Sequence, residues 1–157
     1  MKKIILAWSV FAIIACGSDK KENNSQGETK AETEKKTEKK ERRSRKKDDK
    51  GIGPVTELKL PDTIDQAMAT EGKAIFEAKC TACHKPTEKY IGPAPKGVLD
   101  RRTPEWVMNM ILNPEEMLQK DPIAKQLYRD NNGAVMANQN LKEDEARKVL
   151  EFFRTIE

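Results

Sequence analysis

The sequence predicts an all-α domain of four to five short helices over residues 62–157, preceded by a disordered charged segment. Three observations carry this. Apolar residues in the second half recur at helical spacing. No stretch there alternates β-branched and polar residues as a half-buried strand does. Three times a helix-starting residue stands before proline, at Thr103-Pro104, Asn113-Pro114 and Asp121-Pro122.

The chain opens with Lys2 and Lys3 and an apolar run from Ile4 to Ala15. That run is short for a bilayer span and has the length of a secretory signal core, so residues 1–15 read as a signal peptide. It ends in IIAC, and this resembles the bacterial lipobox. The resemblance implies cleavage before Cys16 and acylation of Cys16, anchoring the rest to a membrane on the periplasmic side of the cell envelope. Gly17 stands where an Asp would hold a lipoprotein at the inner membrane, which leans the expectation towards the outer one.

Residues 20–54 offer almost nothing apolar to bury, so residues 16–61 read as a disordered, charged linker. Residues 17–61 hold fourteen Lys/Arg against ten Asp/Glu, whereas residues 62–157 hold fourteen against sixteen. The basic balance of the whole chain therefore belongs to leader and linker. No basic stripe marks the folded part, and nucleic acid is not an expected partner.

In the folded part a first helix is expected over about residues 65–82, with Ala74, Ile75, Ala78 and Ala82 on one side and Phe76 beside them. Lys85-Pro86 ends it, and KPTEKYIGPAPKG is a loop. Thr103 caps the next helix, whose apolar face is Trp106, Val107, Met110 and Ile111. Asn113-Pro114 ends that helix and starts a short one. Asp121-Pro122 starts another, and Asn132-Gly133 closes it in the left-handed manner. The last helix has Asn140 three residues before Glu143, a capping-box-like start. Its buried stripe is Leu141, Ala146, Val149, Leu150, Phe153 and Ile156. A domain this small is marginal on its own core, and Trp8 leaves with the signal, so something else should fill the middle.

CTACH, residues 80–84, says what. Two cysteines at this spacing serve a redox dithiol, a zinc site or covalent haem attachment. The dithiol wants a strand before a helix N-terminus, whereas this pair falls at a helix end, where the dipole disfavours a thiolate. Zinc wants four ligands, and Cys80, Cys83 and His84 make three. Haem c uses all three, with thioethers from Cys80 and Cys83 and His84 on the iron. No second histidine exists in the chain, which excludes a bis-histidine iron.

CTACH together with GKAIFEAK before it resembles class I mono-haem cytochrome c, over about residues 70–157. The resemblance implies the cytochrome c fold around one covalent haem c. Gly72 and Phe76 would meet the C-terminal helix at Phe152 or Phe153. Met136, in the loop before the last helix, would be the sixth iron ligand, although Ala137 follows it where many relatives have proline; Asn138 or Gln139 would then hold the turn. Met108, Met110 and Met117 would fill core. The Pro93 carbonyl would orient His84, and Arg101, with Arg102 beside it, would meet a haem propionate. Trp106 would donate its indole N–H to a propionate or pack in the core. Lys79, Lys85, Lys89 and Lys96 would steer partners locally.

The same resemblance implies an electron carrier rather than an enzyme. It would be a tethered monomer passing single electrons from a quinol-oxidising complex to a terminal oxidase or a periplasmic reductase such as nitrous-oxide reductase. The alternatives are a haem enzyme, such as a small peroxidase or reductase subunit, and a haem-based gas or redox sensor.

Overall fold

The computed structural model describes residues 49–156, so the expected signal peptide, the acylated Cys16 and most of the linker lie outside the described residues. Within them the chain forms six helices and no strand: α1 Gln66–Lys79, α2 Val98–Arg101, α3 Pro104–Leu112, α4 Pro114–Lys120, α5 Pro122–Asp130 and α6 Glu143–Arg154. No helix among these is long and apolar enough to cross a membrane.

The frame is the crossing of α1 with α6. Gly72 makes it possible: a methyl there would lie 2.8 Å from the Val149 nitrogen and closer still to the Lys148 carbonyl, so two backbones touch where no Cβ fits. One turn on, the Phe76 ring meets Phe152 at 5.5 Å and Phe153 at 5.7 Å between centroids, tilted and edge-on, the arrangement that the ring quadrupole favours. Both α6 rings take part, where one had been expected. Glu151, fully buried on α6, accepts from the Asp65 N–H just before α1 and pairs with Arg147 and Arg154. Burial pushes its carboxyl up, but the backbone N–H and the two guanidinium groups outweigh that and leave it below its ordinary value.

The proline signals sit where they were expected. Thr103 accepts from the Trp106 N–H, Asp121 accepts from the Ala124 N–H, and each is followed by proline at the first helical position. Two boundaries differ. The first helix stops at Lys79 rather than Ala82, because the chain winds into a turn whose Cys83 and His84 N–H groups both point at the Cys80 carbonyl. The last helix starts at Glu143 with Lys142 as its cap and the Glu145 carboxylate accepting the Lys142 N–H. Asn140 is used instead in a left-handed turn, φ 52°, with its N–H on the Asn138 side chain. The short α2 was not expected.

The domain boundary at Asp62 also needs correction. Residues 49–60 pack on α3 rather than belonging to the linker. Val55 is buried in the core, and Ile52, Leu58 and Leu60 lean on it. The backbone finds its partners in side chains of α3. Asn109, itself buried, accepts from the Val55 N–H and donates to the Lys50 and Val55 carbonyls, and Glu105 accepts from the Leu58 N–H. Thr103 donates to the Asp49 carbonyl. A strap of low apolar density is thus held by polar groups that satisfy its backbone.

Candidate functional site

The helices leave a cavity of about 190 Å³ between them, far beyond the water-sized voids of a close-packed interior. Its wall is mostly carbon, from side chains such as Phe76, Val107, Ile111, Leu127, Val149 and Phe153. All seven residues singled out in the sequence as haem or iron contacts line it: Cys80, Cys83, His84, Pro93, Arg101, Trp106 and Met136.

His84 follows the turn that ends α1. Its Nδ1 lies 2.8 Å from the Pro93 carbonyl oxygen. A carbonyl can only accept, so Nδ1 carries the proton and Nε2 keeps its lone pair free for a metal. Gly92 fixes the ring from behind, since a methyl there would stand 2.8 Å from Nδ1 and 2.9 Å from Nε2. The Gly92 N–H in turn bonds the Cys83 carbonyl at 2.8 Å, tying the loop to the cysteine turn.

Cys80 is half-buried and Cys83 exposed. Burial pushes the Cys80 thiol up; Lys79 pulls it down and Cys83 adds to the rise. A neutral, partly buried thiol is a poor attacking dithiol. No group of three or more His, Cys, Asp and Glu suited to a metal occurs among the described residues.

Met136 is half-buried in the loop between α5 and α6. Asn138 donates to the Leu112 carbonyl and its oxygen receives the Asn140 N–H, while Gln139 donates to the Ala137 carbonyl. Met108 and Met117 are fully buried in the core away from the cavity wall, whereas Met110 lies on that wall. Arg101 reaches the Ala94 carbonyl at 3.3 Å, and Arg102 stacks 5.2 Å over the Trp106 ring. Trp106 is buried, and its indole N–H makes no hydrogen bond of normal geometry; the buried Asp121 carboxylate lies within its electrostatic reach.

Among the wall residues not anticipated, two make specific contacts. Asn131 donates to the Leu127 carbonyl, which leaves its buried amide oxygen without a donor. Gly92 was noted only as part of a Gly-Pro pair, and its packing on the imidazole carries no signal in the sequence beyond that. Two of the four lysines expected to steer partners are engaged within the protein. Lys85 pairs with Glu88 at 2.9 Å and lies 5.1 Å from the Tyr90 ring centre, and Lys89 donates to the Asp130 carbonyl at 2.9 Å.

These residues fit a haem. The wall is apolar, both thiols and a metal-ready imidazole nitrogen border it, two guanidinium groups line it, and the buried Asn131 amide oxygen on it has no protein donor.

The cytochrome c family pattern matches residues 69–157. Among solved structures, cytochrome c from Rhodothermus marinus is similar at 42% identity and a TM-score of 0.64, covering 66% of this chain and 89% of that one. An engineered cytochrome c from Rhodothermus marinus, Rma TDE, is similar at 41% identity and a TM-score of 0.63, over 66% of this chain and 90% of that one. The same engineered protein bound to a carbene intermediate gives a TM-score of 0.61 at 41% identity, over 66% of this chain and 89% of that one. No curated protein matches the chain. The family binds haem c covalently, and Cys80 and Cys83 stand at its attachment positions. By its matched pattern, its helical fold and its cavity, this chain belongs to the cytochrome c family.

Proposed function

We propose that the chain is a membrane-tethered mono-haem electron carrier of the cell envelope, held through Cys16 on the periplasmic side, with the outer membrane favoured. It receives electrons from a quinol-oxidising complex and delivers them to a terminal oxidase or a periplasmic reductase such as nitrous-oxide reductase. One observation carries the reading: His84, its Nδ1 bonded to the Pro93 carbonyl, shares a cavity wall with Met136, so a nitrogen and a thioether sulfur are available to one iron.

Bound haem c supplies a one-electron couple at its iron. The protein residues do the rest. Cys80 and Cys83 would hold the group covalently through thioether links. His84 would offer Nε2 to the iron, its ring orientation set by Pro93 and Gly92. Met136 would offer its thioether sulfur to the same iron, the ligation that suits electron transfer rather than peroxidase or gas-sensor chemistry. Arg101 and Arg102 are placed to neutralise propionates. The apolar wall excludes water, which favours methionine ligation and a raised potential.

The test is optical. Ferric holoprotein should show the charge-transfer band of thioether-ligated haem at the red edge of the visible, and the ferrous form should resist carbon monoxide. Met136→Ala should lose the band and bind carbon monoxide, whereas Met110→Ala should keep the band. A wild type without the band, or with ready carbon monoxide binding, overturns the carrier reading in favour of an enzyme or sensor.

A further inference from the structure

Two carboxylates among the described residues are at most 2% exposed, Glu151 and Asp121. Glu151 has the partners a buried charge requires, the Arg147 and Arg154 guanidinium groups. Asp121 is surrounded differently. Its carboxylate accepts from the Ala124 N–H at 2.6 Å and is reached by the Ile123 N–H, both in the first turn of the helix that it caps. That cap needs an acceptor and no charge, since asparagine or serine serves equally. The helix dipole returns less than a buried charge costs, so capping alone does not account for an aspartate here.

The groups that face Asp121 from other elements are the Trp106 indole N–H of α3 and the Asp49 carboxylate of the strap. Asp49 is fixed in place: its carbonyl accepts from Thr103 and its carboxylate from the Gly51 N–H. Of the neighbouring lysines, Lys120 is drawn to Glu116 and Lys50 to Glu105. Arg102 lies over the Trp106 ring, 5.2 Å from its centre. Burial raises the Asp121 carboxyl above its ordinary value, and Asp49 adds to this against the pull of the N–H donors.

Trp106 is the link to the cavity. It is buried, stands on the cavity wall and has its N–H within reach of Asp121. Asp121 is therefore behind that wall, with an indole between its carboxyl and the space that a haem would fill.

We infer that Asp121 is a positioning residue that couples a proton to the electron: acting through Trp106, it carries a negative charge beside ferric iron and a proton beside ferrous iron. The inference rests on the electron-carrier reading and adds a regulation by pH to it. On oxidation one electron leaves for the redox partner and the Asp121 carboxyl gives its proton to solvent; reduction reverses both. The sign follows from charge. Oxidation adds a positive charge at the iron, which an ionised carboxylate stabilises and a neutral one does not. The potential therefore falls as pH rises through the Asp121 value. One charge across the width of an indole biases the ferric-to-ferrous ratio by about tenfold at the effective dielectric of a protein site, a step of about 59 mV.

The experiment is a redox titration of the holoprotein as a function of pH, beside the Trp106 indole N–H resonance of the ferrous form. Wild type should show one step of about tenfold in the ferric-to-ferrous ratio at fixed applied potential, centred above the ordinary aspartate range, and the indole resonance should move with it. Asp121→Asn keeps an acceptor for the Ala124 N–H; it should abolish both responses and hold the potential at its low-pH level. Asp49→Asn keeps an acceptor for the Gly51 N–H and removes the facing charge, so the step should keep its height and move to lower pH. Both variants should retain the wild-type charge-transfer band, which separates coupling from damage to the iron ligands.

A step that survives in Asp121→Asn belongs to the propionates of the cofactor; it overturns the inference and leaves the carrier reading intact. So does a wild-type potential that ignores pH, a step that Asp49→Asn fails to shift, or an indole resonance that does not follow the step. If Asp121→Asn does not fold, the shift in Asp49→Asn decides alone. Wild type without a reversible one-electron couple overturns the carrier reading and the inference together.

Discussion

Replacing Gly72 by alanine tests the crossing on which the cavity is built. The added methyl would sit 2.8 Å from the Val149 nitrogen and nearer still to the Lys148 carbonyl, both backbone atoms of α6. Van der Waals contact needs about 3.5 Å, so the helices must part by at least about 0.7 Å. No rotamer relieves this, because neither partner is a side chain. A gap of that size forfeits roughly a quarter to a half of each contact along the seam. The Phe76 ring, wedged between Phe152 and Phe153, lies directly in that seam. Overpacking against a yielding side chain costs about 1–3 kcal/mol, and a rigid backbone puts Gly72→Ala at or above about 3 kcal/mol. For a domain of this size that is a fall of about 12 °C or more in melting temperature. Circular dichroism melts of wild-type and variant holoprotein measure it. A variant melting within about 3 °C of wild type would refute the close approach of α1 and α6 at this point.

Asn109→Leu removes the donor and acceptor that hold the strap, leaving the Val55 N–H and the Lys50 and Val55 carbonyls without their partner. Denaturant unfolding should show a loss of about 2–3 kcal/mol, and proteolysis should open the segment around Val55 first. Glu151→Gln strips the buried carboxylate from Arg147 and Arg154, at a cost of about 3 kcal/mol at pH 7. The Glu151 carboxyl is held below its ordinary value, so its stabilisation is present above the unfolded value and lost as pH falls through the lower, folded one. The gap between wild type and Glu151→Gln should therefore narrow as pH falls below that of an ordinary glutamate. Asp121 behaves oppositely. Burial pushes its carboxyl up, and Asp49 of the strap adds to this against the Ala124 N–H. Its contribution is thus greatest below the unfolded value and is lost as pH rises through the folded one. Asp121→Asn keeps an acceptor for the Ala124 N–H, so it should match or exceed wild-type stability at pH 7 and flatten the stability profile just above the ordinary aspartate range.

The parts of the fold that were legible in the sequence are those whose cause is local. Thr103-Pro104 and Asp121-Pro122 set helix starts through a side chain and a ring within three residues, and the structure uses both. The strap was misread because its partners lie 54 residues away in the chain, in Asn109, a residue that on its own looks like a helix-surface amide. The slip at the last helix has a similar origin. Asn140–Glu143 and Lys142–Glu145 are both three-residue spacings, and asparagine is the better cap. The loop from α5 nevertheless takes Asn140 for its own turn with Asn138. A better local signal therefore yielded to the turn of the loop that carries Met136 on the cavity wall.

The candidate site divides the same way. CTACH was legible because attachment and ligation require neighbours in sequence. Met136 and Pro93 entered only by family resemblance, since nothing in their own surroundings distinguishes them. That the apolar stripes form the wall of a cavity was not legible, for a physical reason. Ile111, Val149 and Phe153 belong to helical stripes, and each belongs both to the core cluster and to the cavity wall. Periodicity reports that a face avoids water; it does not report whether another side chain or a porphyrin covers it. What the sequence did expose was a shortage: a small domain with one tryptophan of its own and no apolar surplus to close its centre.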